Sequence, residues 1–452
     1  MSRCFGFSFC NRKTRIISMV FLILILYHVA PGQEYKPSLL VHPPHGHSYG
    51  FHKAGRFYLR MLLSLGARFD NPQGIAAVKL KSTDDPSSES DDDELTVYAS
   101  NSNRHQIIYN RGLNGLDSYG ALGAGDGQFH NPQGVAATED GFVYVADMNN
   151  NRVVCLYNEK GRLEFVRNIG LGELLHPRDC SVDDKGNLYV ADTDHNRVVI
   201  YDPVGRRKGI IDGGGTMDRP SAIVVVDFSD KWTFRHETVI IIADSVNGRI
   251  RKFDQFGNQQ AAITGDDIAL PRAYFAYLAI DFYGSIYATD MVNHQIHKFD
   301  YDLKYVASFG RQGTGDNEFE SPRGIAIWKR YGQVFILERE SVQYYWVGID
   351  GYIEGLYPKK LNKDFPAVTI SLMLYEPADF KIQVNDSSGT MVKNLVQEFR
   401  EKLGLNNIVW DGTDEKGELV PPGEYVITVS MEPTYSAKGY FNKKLAAKII
   451  KE

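Results

Sequence analysis

A short phrase recurs six times along the chain: an apolar pair that usually ends in Ala, an acidic or amide residue, a polar turn, then Arg or Gln opening a new apolar stretch. The acidic or amide positions are Asn101, Asp147, Asp192, Asp244, Asp290 and Glu338, and five residues beyond each stands Gln106, Arg152, Arg197, Arg249, Gln295 or Gln343. A Pro precedes each copy (Pro72, Pro132, Pro177, Pro220, Pro271, Pro322), so the unit repeats every 43–60 residues. A unit of that size holds a few short strands and cannot bury a core alone. Six of them predict an all-β ring in which each sheet packs on two neighbours.

Within a unit, turn signals separate short apolar runs. In the second unit the runs are 134–137, 143–146, 152–157 and 163–168, divided by Glu139-Asp140-Gly141, Asn149-Asn150-Asn151 and Glu159-Lys160-Gly161. The innermost strand opens on a small residue in five copies, Gly74, Gly134, Ala222, Ala273 and Gly324, with Asp179 the exception. Inner strands crowded around a narrow axis impose that choice whatever the ligand. Residues 57–65 read as one more strand, expected to complete the last sheet and remove an exposed edge. Two insertions break the pattern. Residues 82–94 are rich in Asp and Glu and read as a solvated loop, without the Asp/Asn alternation and central Gly of a calcium loop. Residues 227–237 widen the fourth unit.

At the N-terminus, Arg3, Arg12, Lys13 and Arg15 precede an apolar run over 16–27 and then small residues, the pattern of a secretory signal peptide over 1–32. The run is shorter than the ~20 apolar residues that span a bilayer, so membrane attachment is expected only if the segment stays uncleaved. The expected location is secreted, periplasmic or cell-surface. Removing four basic residues takes the net charge from −6 to −10, which speaks against a nucleic-acid partner. Cys4 and Cys10 fall in this segment, while Cys155 and Cys180 stand in strands of neighbouring units, either as a disulfide or as two buried thiols. Residues 33–56 form an irregular lead-in; its His42, His45, His47 and His52 read as a metal-binding tract or, more commonly, as plain connecting chain.

The repeats are expected to occupy 57–357. A linker over 358–366 leads to 367–452, where short alternating strands and turns such as Asp386-Ser387-Ser388-Gly389 predict a β-sandwich. In the turn from Asp411 to Gly417, Asp411 and Asp414 read as hairpin residues in preference to metal ligands.

The phrase Phe129-His130-Asn131-Pro132-Gln133-Gly134-Val135-Ala136, followed by Val143-Tyr144-Val145-Ala146-Asp147 and Asn151-Arg152-Val153, resembles the NHL repeat. Leu188-Tyr189-Val190-Ala191-Asp192 with Asn196-Arg197-Val198-Val199 repeats it. The resemblance implies a six-bladed β-propeller. Further on, Val392-Lys393-Asn394-Leu395, Asn406-Asn407-Ile408-Val409-Trp410-Asp411-Gly412 and Val420-Pro421-Pro422-Gly423-Glu424-Tyr425 are similar to the Ig-like domain of flagellar hook-capping (FlgD-type) proteins. That resemblance implies a bacterial origin and a spacer or docking role. NHL propellers include a lyase of hydroxyglycine-extended peptides with His metal ligands; the matching inner-strand positions hold Gly74, Gly134 and Asp179 here, so no metal ligand carries over and no cofactor is expected. Other NHL propellers bind RNA through a basic face; the acidic balance of this chain speaks against that.

The residues after each repeat Pro are Gln73, Gln133, Arg178, Ser221, Arg272 and Arg323, expected to circle the mouth of the axial channel. Of these, Gln73, Gln133, Arg178, Arg272 and Arg323 form, with Asp179, the candidate ligand site. Three Arg suit a carboxylate, phosphate or sulfate, unless each pairs with a neighbouring carboxylate such as Asp179. The Asp147/Arg152-type pairs recur in every unit and read as turn locks. His105, His195 and His294 fall in the same turns, and His130 and His176 precede the repeat Pro; a metal would need three of them to converge. The sequence holds no nucleophile elbow, zincin helix, phosphate loop or dinucleotide fingerprint. The expected function is non-catalytic recognition of a peptide, glycan or protein partner by one propeller face, with the Ig-like domain as spacer or docking module. A lyase or hydrolase working at the channel mouth is the alternative.

Overall fold

A computed structural model of the protein describes residues 39–43, 53–63, 66–84, 95–110, 115–244, 248–400, 403–434 and 439–452. The expected signal segment, His45, His47, His52 and most of the acidic insertion lie outside the described residues. Five four-stranded antiparallel sheets and a sixth, composite one form the propeller. Blade one is Pro72–Lys79, Leu95–Asn101, Gln106–Asn110 and Leu116–Tyr119; blade two is Pro132–Ala137, Phe142–Asp147, Arg152–Glu159 and Arg162–Ile169. Blade three is Pro177–Val182, Leu188–Asp192, Arg197–Tyr201 and Arg207–Ile211; blade four is Pro220–Val226, Val239–Asp244, Arg249–Phe253 and Gln259–Thr264. Blade five is Phe275–Ile280, Ile286–Asp290, Gln295–Phe299 and Tyr305–Phe309. Because each sheet is covered on both faces, its middle strands are apolar on both sides: Val143, Tyr144, Val145 and Ala146 are all buried, as are Ile240, Ile241 and Ile242.

Blade six departs from the expectation. Its inner three strands are Ile325–Trp328, Gln333–Leu337 and Val342–Val347. The outer edge of the last is covered by two short N-terminal strands, Leu40–Val41 opposite Val347 and Trp346, and Lys53–Ala54 opposite Gln343 and Val342. The strand expected at 57–65 is instead the helix Arg56–Leu62. Its Leu59 is buried in the cluster that joins blades six and one, with Phe69, Ile75 and Phe335, while Phe57 and Met61 face outward. The apolar run suits helical as well as strand spacing, and the sheet edge it was expected to cover is already taken. The ring closure therefore lies inside the segment read as an irregular lead-in. There His42 stacks on Tyr345 with ring centroids 4.5 Å apart.

The second correction is at the domain boundary. Gly351–Tyr357, expected to end the propeller, pairs with Val368–Leu374, and Lys360–Leu361, expected as linker, pairs with Lys443–Lys451. The C-terminal β-sandwich thus begins at 351. One sheet is Gly351–Tyr357, Val368–Leu374 and Gly404–Trp410; the other runs Lys360–Leu361, Lys443–Lys451, Gly423–Pro433, Ala378–Asp386, Met391–Arg400. Trp410 is fully buried between them and donates its indole N–H to Thr413 O at 2.9 Å. Asp411 and Asp414 accept the turn's own backbone N–H groups, from Thr413 and from Lys416 and Glu418 respectively, as hairpin residues do.

The sandwich docks on blades five and six. Lys298, fully buried on blade five, pairs with Glu376, whose carboxylate also receives the Tyr287 hydroxyl at 3.1 Å. Trp346 meets Tyr440 and Phe441 edge-on, and Lys443 pairs with Asp350. Cys155 and Cys180 are both free thiols buried between blades two and three, where burial pushes Cys155 up to about 11.

Candidate functional site: the mouth of the axial channel

Strand register defines the mouth. Pro72 pairs with Asn101, Pro132 with Asp147, Pro177 with Asp192 and Pro220 with Asp244. In blade five the residue opposite Asp290 is Phe275, four residues beyond Pro271. The positions that follow shift accordingly: Ala276 takes the place expected for Arg272, and Tyr277 the place expected for Ala273. Arg272 is exposed in the turn before the strand, where Ala273 N bonds Leu270 O. It does not join the other five candidates. The signal was in the spacing. Pro132–Asp147 and Pro177–Asp192 are 15 residues apart, as are Phe275 and Asp290, whereas Pro271 and Asp290 are 19 apart.

The acidic ring fixes each inner strand. Asp147 and Asp192 are fully buried and accept the backbone N–H of His130 and Leu175 at 2.7 Å, two residues ahead of the repeat Pro. Asn101, Asp244 and Glu338 do the same for Asp70, Asp218 and Glu320. The other oxygen of Asp147, Asp192 and Glu338 holds the residue five positions on, Arg152 at 2.9 Å, Arg197 at 2.8 Å and Gln343 at 2.7 Å, whereas Arg249 shares Asp244 Oδ2 with the Asp218 N–H. In blade five His297 replaces Gln295 as the partner of Asp290.

A second latch ties blades one, two, three and five to the blades that follow them. His105, Asn151, Asn196 and His294 all have left-handed backbones, and their side chains accept the N–H of Asn131, His176, Arg219 and Ser321 at 2.8–3.1 Å. The histidines of these turns are spent on architecture. In blade four the equivalent residue is Gly248, which has no side chain to reach forward, and the chain ahead of blade five is the one that slips. Among the described residues no three His, Cys, Asp or Glu side chains converge as a metal ligand set.

At the axis, Gly324 N donates to Gln73 O at 2.7 Å and joins blade six to blade one. A Cβ on Gly74 would lie 2.5 Å from Gly134 Cα, and one on Gly134 2.5 Å from Asp179 Cα, so only glycine permits these blades to touch. On the far side of the axis Tyr277 supplies the bulk. Its side chain is 4% exposed and its hydroxyl has no hydrogen-bond partner among the described residues. Asp179 accepts Ile223 N at 2.9 Å across the blade boundary, and burial pushes its carboxyl up to about 7 against that bond and Arg178. Arg178 donates to the Tyr274 hydroxyl at 2.7 Å, from blade three to the threshold of blade five. Arg323 donates to Asn71 Oδ1 and to Pro72 O at 3.1 Å. Gln73 and Gln133 donate to Asn71 and Asn131 at 3.1 and 3.0 Å, and Ser221 Oγ to Phe275 O at 2.9 Å. Sequence reasoning missed Tyr274, Tyr277 and Asn71.

Four buried polar atoms here lack a partner among the described residues: Gln73 Oε1, Arg178 Nε, Arg323 Nε and Tyr277 Oη. The opposite end of the axis is crossed by the insertion at 227–237. Asp230 pairs with Lys329 of blade six, Trp232 lies 4.9 Å beneath Arg330, Lys231 reaches Glu139 of blade two, and Phe234 N bonds Phe282 O of blade five. Two cavities lie elsewhere. One, of about 260 Å³, sits between blades three and four beside Lys208 and Phe256, and the other, about 100 Å³ and apolar, lies under the helix Arg56–Leu62.

A six-bladed propeller with one polar mouth and an appended sandwich is thus the class the geometry defines. Residues 129–156 and 174–201 match the NHL repeat, and residues 361–434 match the FlgD Ig-like domain. The chain carries NHL repeats followed by a FlgD-type Ig-like domain. No curated protein matches it in sequence. Solved structures resemble it at the level of fold. Virginiamycin B lyase from Staphylococcus aureus is 11% identical, with 65% of this chain and 98% of that one covered and a TM-score of 0.43. A gluconolactonase from Xanthomonas campestris is 12% identical over 68% and 99%, with a TM-score of 0.41. PorZ, a bacterial surface component of the type-IX secretion system of Porphyromonas gingivalis, is 12% identical over 78% and 58%, with a TM-score of 0.38.

Proposed function

We propose that the protein is an exported, non-catalytic binding protein that takes a peptide, glycan or protein partner at the propeller mouth. The observation that carries this reading is the set of four buried polar atoms without partners around one axis. Native proteins rarely leave such groups unpaired, because each costs about 1–3 kcal/mol unless something bonds to it. The N-terminal segment 1–32 supports export, and the Ig-like domain, docked through Glu376 and Thr434, suits a spacer or docking module.

One observation favours the enzyme reading: Asp179, with its carboxyl near 7, has Tyr277 within electrostatic reach and could hold or release a proton at neutral pH. Peptide and glycan arrays probed with the wild type and with Gln73→Ala and Tyr277→Phe variants separate the readings. Binders that weaken tenfold or more in the variants and are recovered chemically intact support recognition. Binders indifferent to both substitutions overturn the mouth as the site, and cleaved ones convert the reading to lyase or hydrolase.

A further inference from the structure

The propeller treats its buried and half-buried guanidiniums in two ways. Arg152, 3% exposed, is paired with the buried Asp147; Arg197 is paired with Asp192 and Arg249 with Asp244. The two arginines of the mouth are held differently. The partners of Arg178 and Arg323 are Tyr274, Asn71 and Pro72, all neutral, and no carboxylate among the described residues lies within ion-pair distance of either. Arg323 is 9% exposed. A charge buried to that degree without a counter-charge carries a desolvation cost that neutral hydrogen bonds only partly offset.

The two arginines come from blades three and six, opposite one another in the ring, and both lie within electrostatic reach of the unpartnered Tyr277 hydroxyl. Each keeps its Nε–H unused. Three unspent donors therefore belong to side chains of the mouth, and guanidinium N–H groups match the planar oxygens of a carboxylate. Asp179, on the same inner ring, opposes a second negative charge. We propose that the mouth binds a carboxylate group of its ligand, held by Arg178 and Arg323 with Tyr277 as a third donor, in preference to a dianion such as phosphate. This rests on the mouth being the binding site and names what it recognises there.

The test uses the full chain and matched small probes at constant ionic strength: acetate, its neutral counterpart acetamide, and inorganic phosphate. Acetate at tenfold over its dissociation constant should raise the melting temperature by about 2 °C, with no shift from acetamide and a smaller one from phosphate. The acetate shift should vanish in Arg178→Gln and Arg323→Gln. Because Arg323 also bridges blades six and one, Arg323→Lys, which keeps the charge, provides a folded control and should retain part of the response. Glucuronate and acetyl-Asp-amide name the source: a larger shift from either than from acetate supports the site and assigns a sugar acid or an acidic peptide side chain. Equal shifts from acetate and acetamide, a stronger response to phosphate, or unchanged acetate shifts in both Gln variants would overturn the proposal. Array binders that still depend on Gln73 and Tyr277 would then leave the mouth as a site for uncharged ligands.

Discussion

Arg178 and Tyr274 stand 96 residues apart in sequence and meet at 2.7 Å across the mouth of the propeller. Their contact exists because blade five starts at Phe275 and not at Pro271, which leaves Tyr274 at the threshold of the blade. The same slip moves Arg272 away from the mouth and puts Tyr277 on the axis. One backbone register thus exchanges a cation for two phenols in the candidate site.

Arg152→Ala should destabilise the protein by about 3 kcal/mol or more, because it strands the buried Asp147 carboxylate. Arg152 also donates to the carbonyls of Ala124, Gly125 and Gln128, so the loop ahead of blade two loosens with it. Arg249, more exposed at 21%, should matter less. Urea denaturation of the two variants checks the order, and equal midpoints would contradict the turn-lock account.

His105→Asn should be nearly neutral, since Asn151 and Asn196 perform the same latch with the same left-handed backbone. His105→Ala should cost about 1 kcal/mol for the lost bond to Asn131 N, and about another 1 kcal/mol for a left-handed alanine. Hydrogen exchange at the Asn131 amide reads the latch directly. Protection retained in the alanine variant would show that the bond is dispensable.

A chain beginning at Leu39 should melt like the mature protein, whereas one beginning at Arg56 should melt well below it and self-associate. The shorter chain loses Leu40–Val41 and Lys53–Ala54 and bares the edge of Val342–Val347. Light scattering and thermal melts distinguish the two. Identical melting of both chains would remove these strands from the closure.

Stability should fall as pH rises from about 4.5 to about 7. At the docking surface one ammonium, Lys298, faces two carboxyls, Glu376 and Asp281, so the second carboxyl is better protonated. Burial pushes Glu376 up to about 7 from its ordinary 4.5, and Asp281 moves the same way. The folded state then holds a proton that the unfolded chain releases, and its stabilising effect is complete below the unfolded value and gone above the folded one. Asp179, also near 7, contributes in the same direction. Melts between pH 5 and 8 should show a smaller slope in Glu376→Gln than in wild type; an unchanged slope would place the proton elsewhere.

The repeats, the number of blades, the turn locks at Asp147 and Asp192 and the sandwich after them were legible in the sequence. Each depends on residues a few positions apart, repeated often enough that a local pattern has no competing reading. Tertiary structure decided the rest. Closure by Leu40–Val41 requires pairing with Val347, about three hundred residues away, and nothing local distinguishes that segment from a connecting loop. The sandwich begins at Gly351 because that strand finds Val368–Leu374, not because its own composition changes. At the mouth, Arg323 finds Asn71 across 252 residues and Arg178 finds Tyr274 across 96. Which side chains meet there is set by the closure of a ring, and a ring closes only when every blade's register is in place.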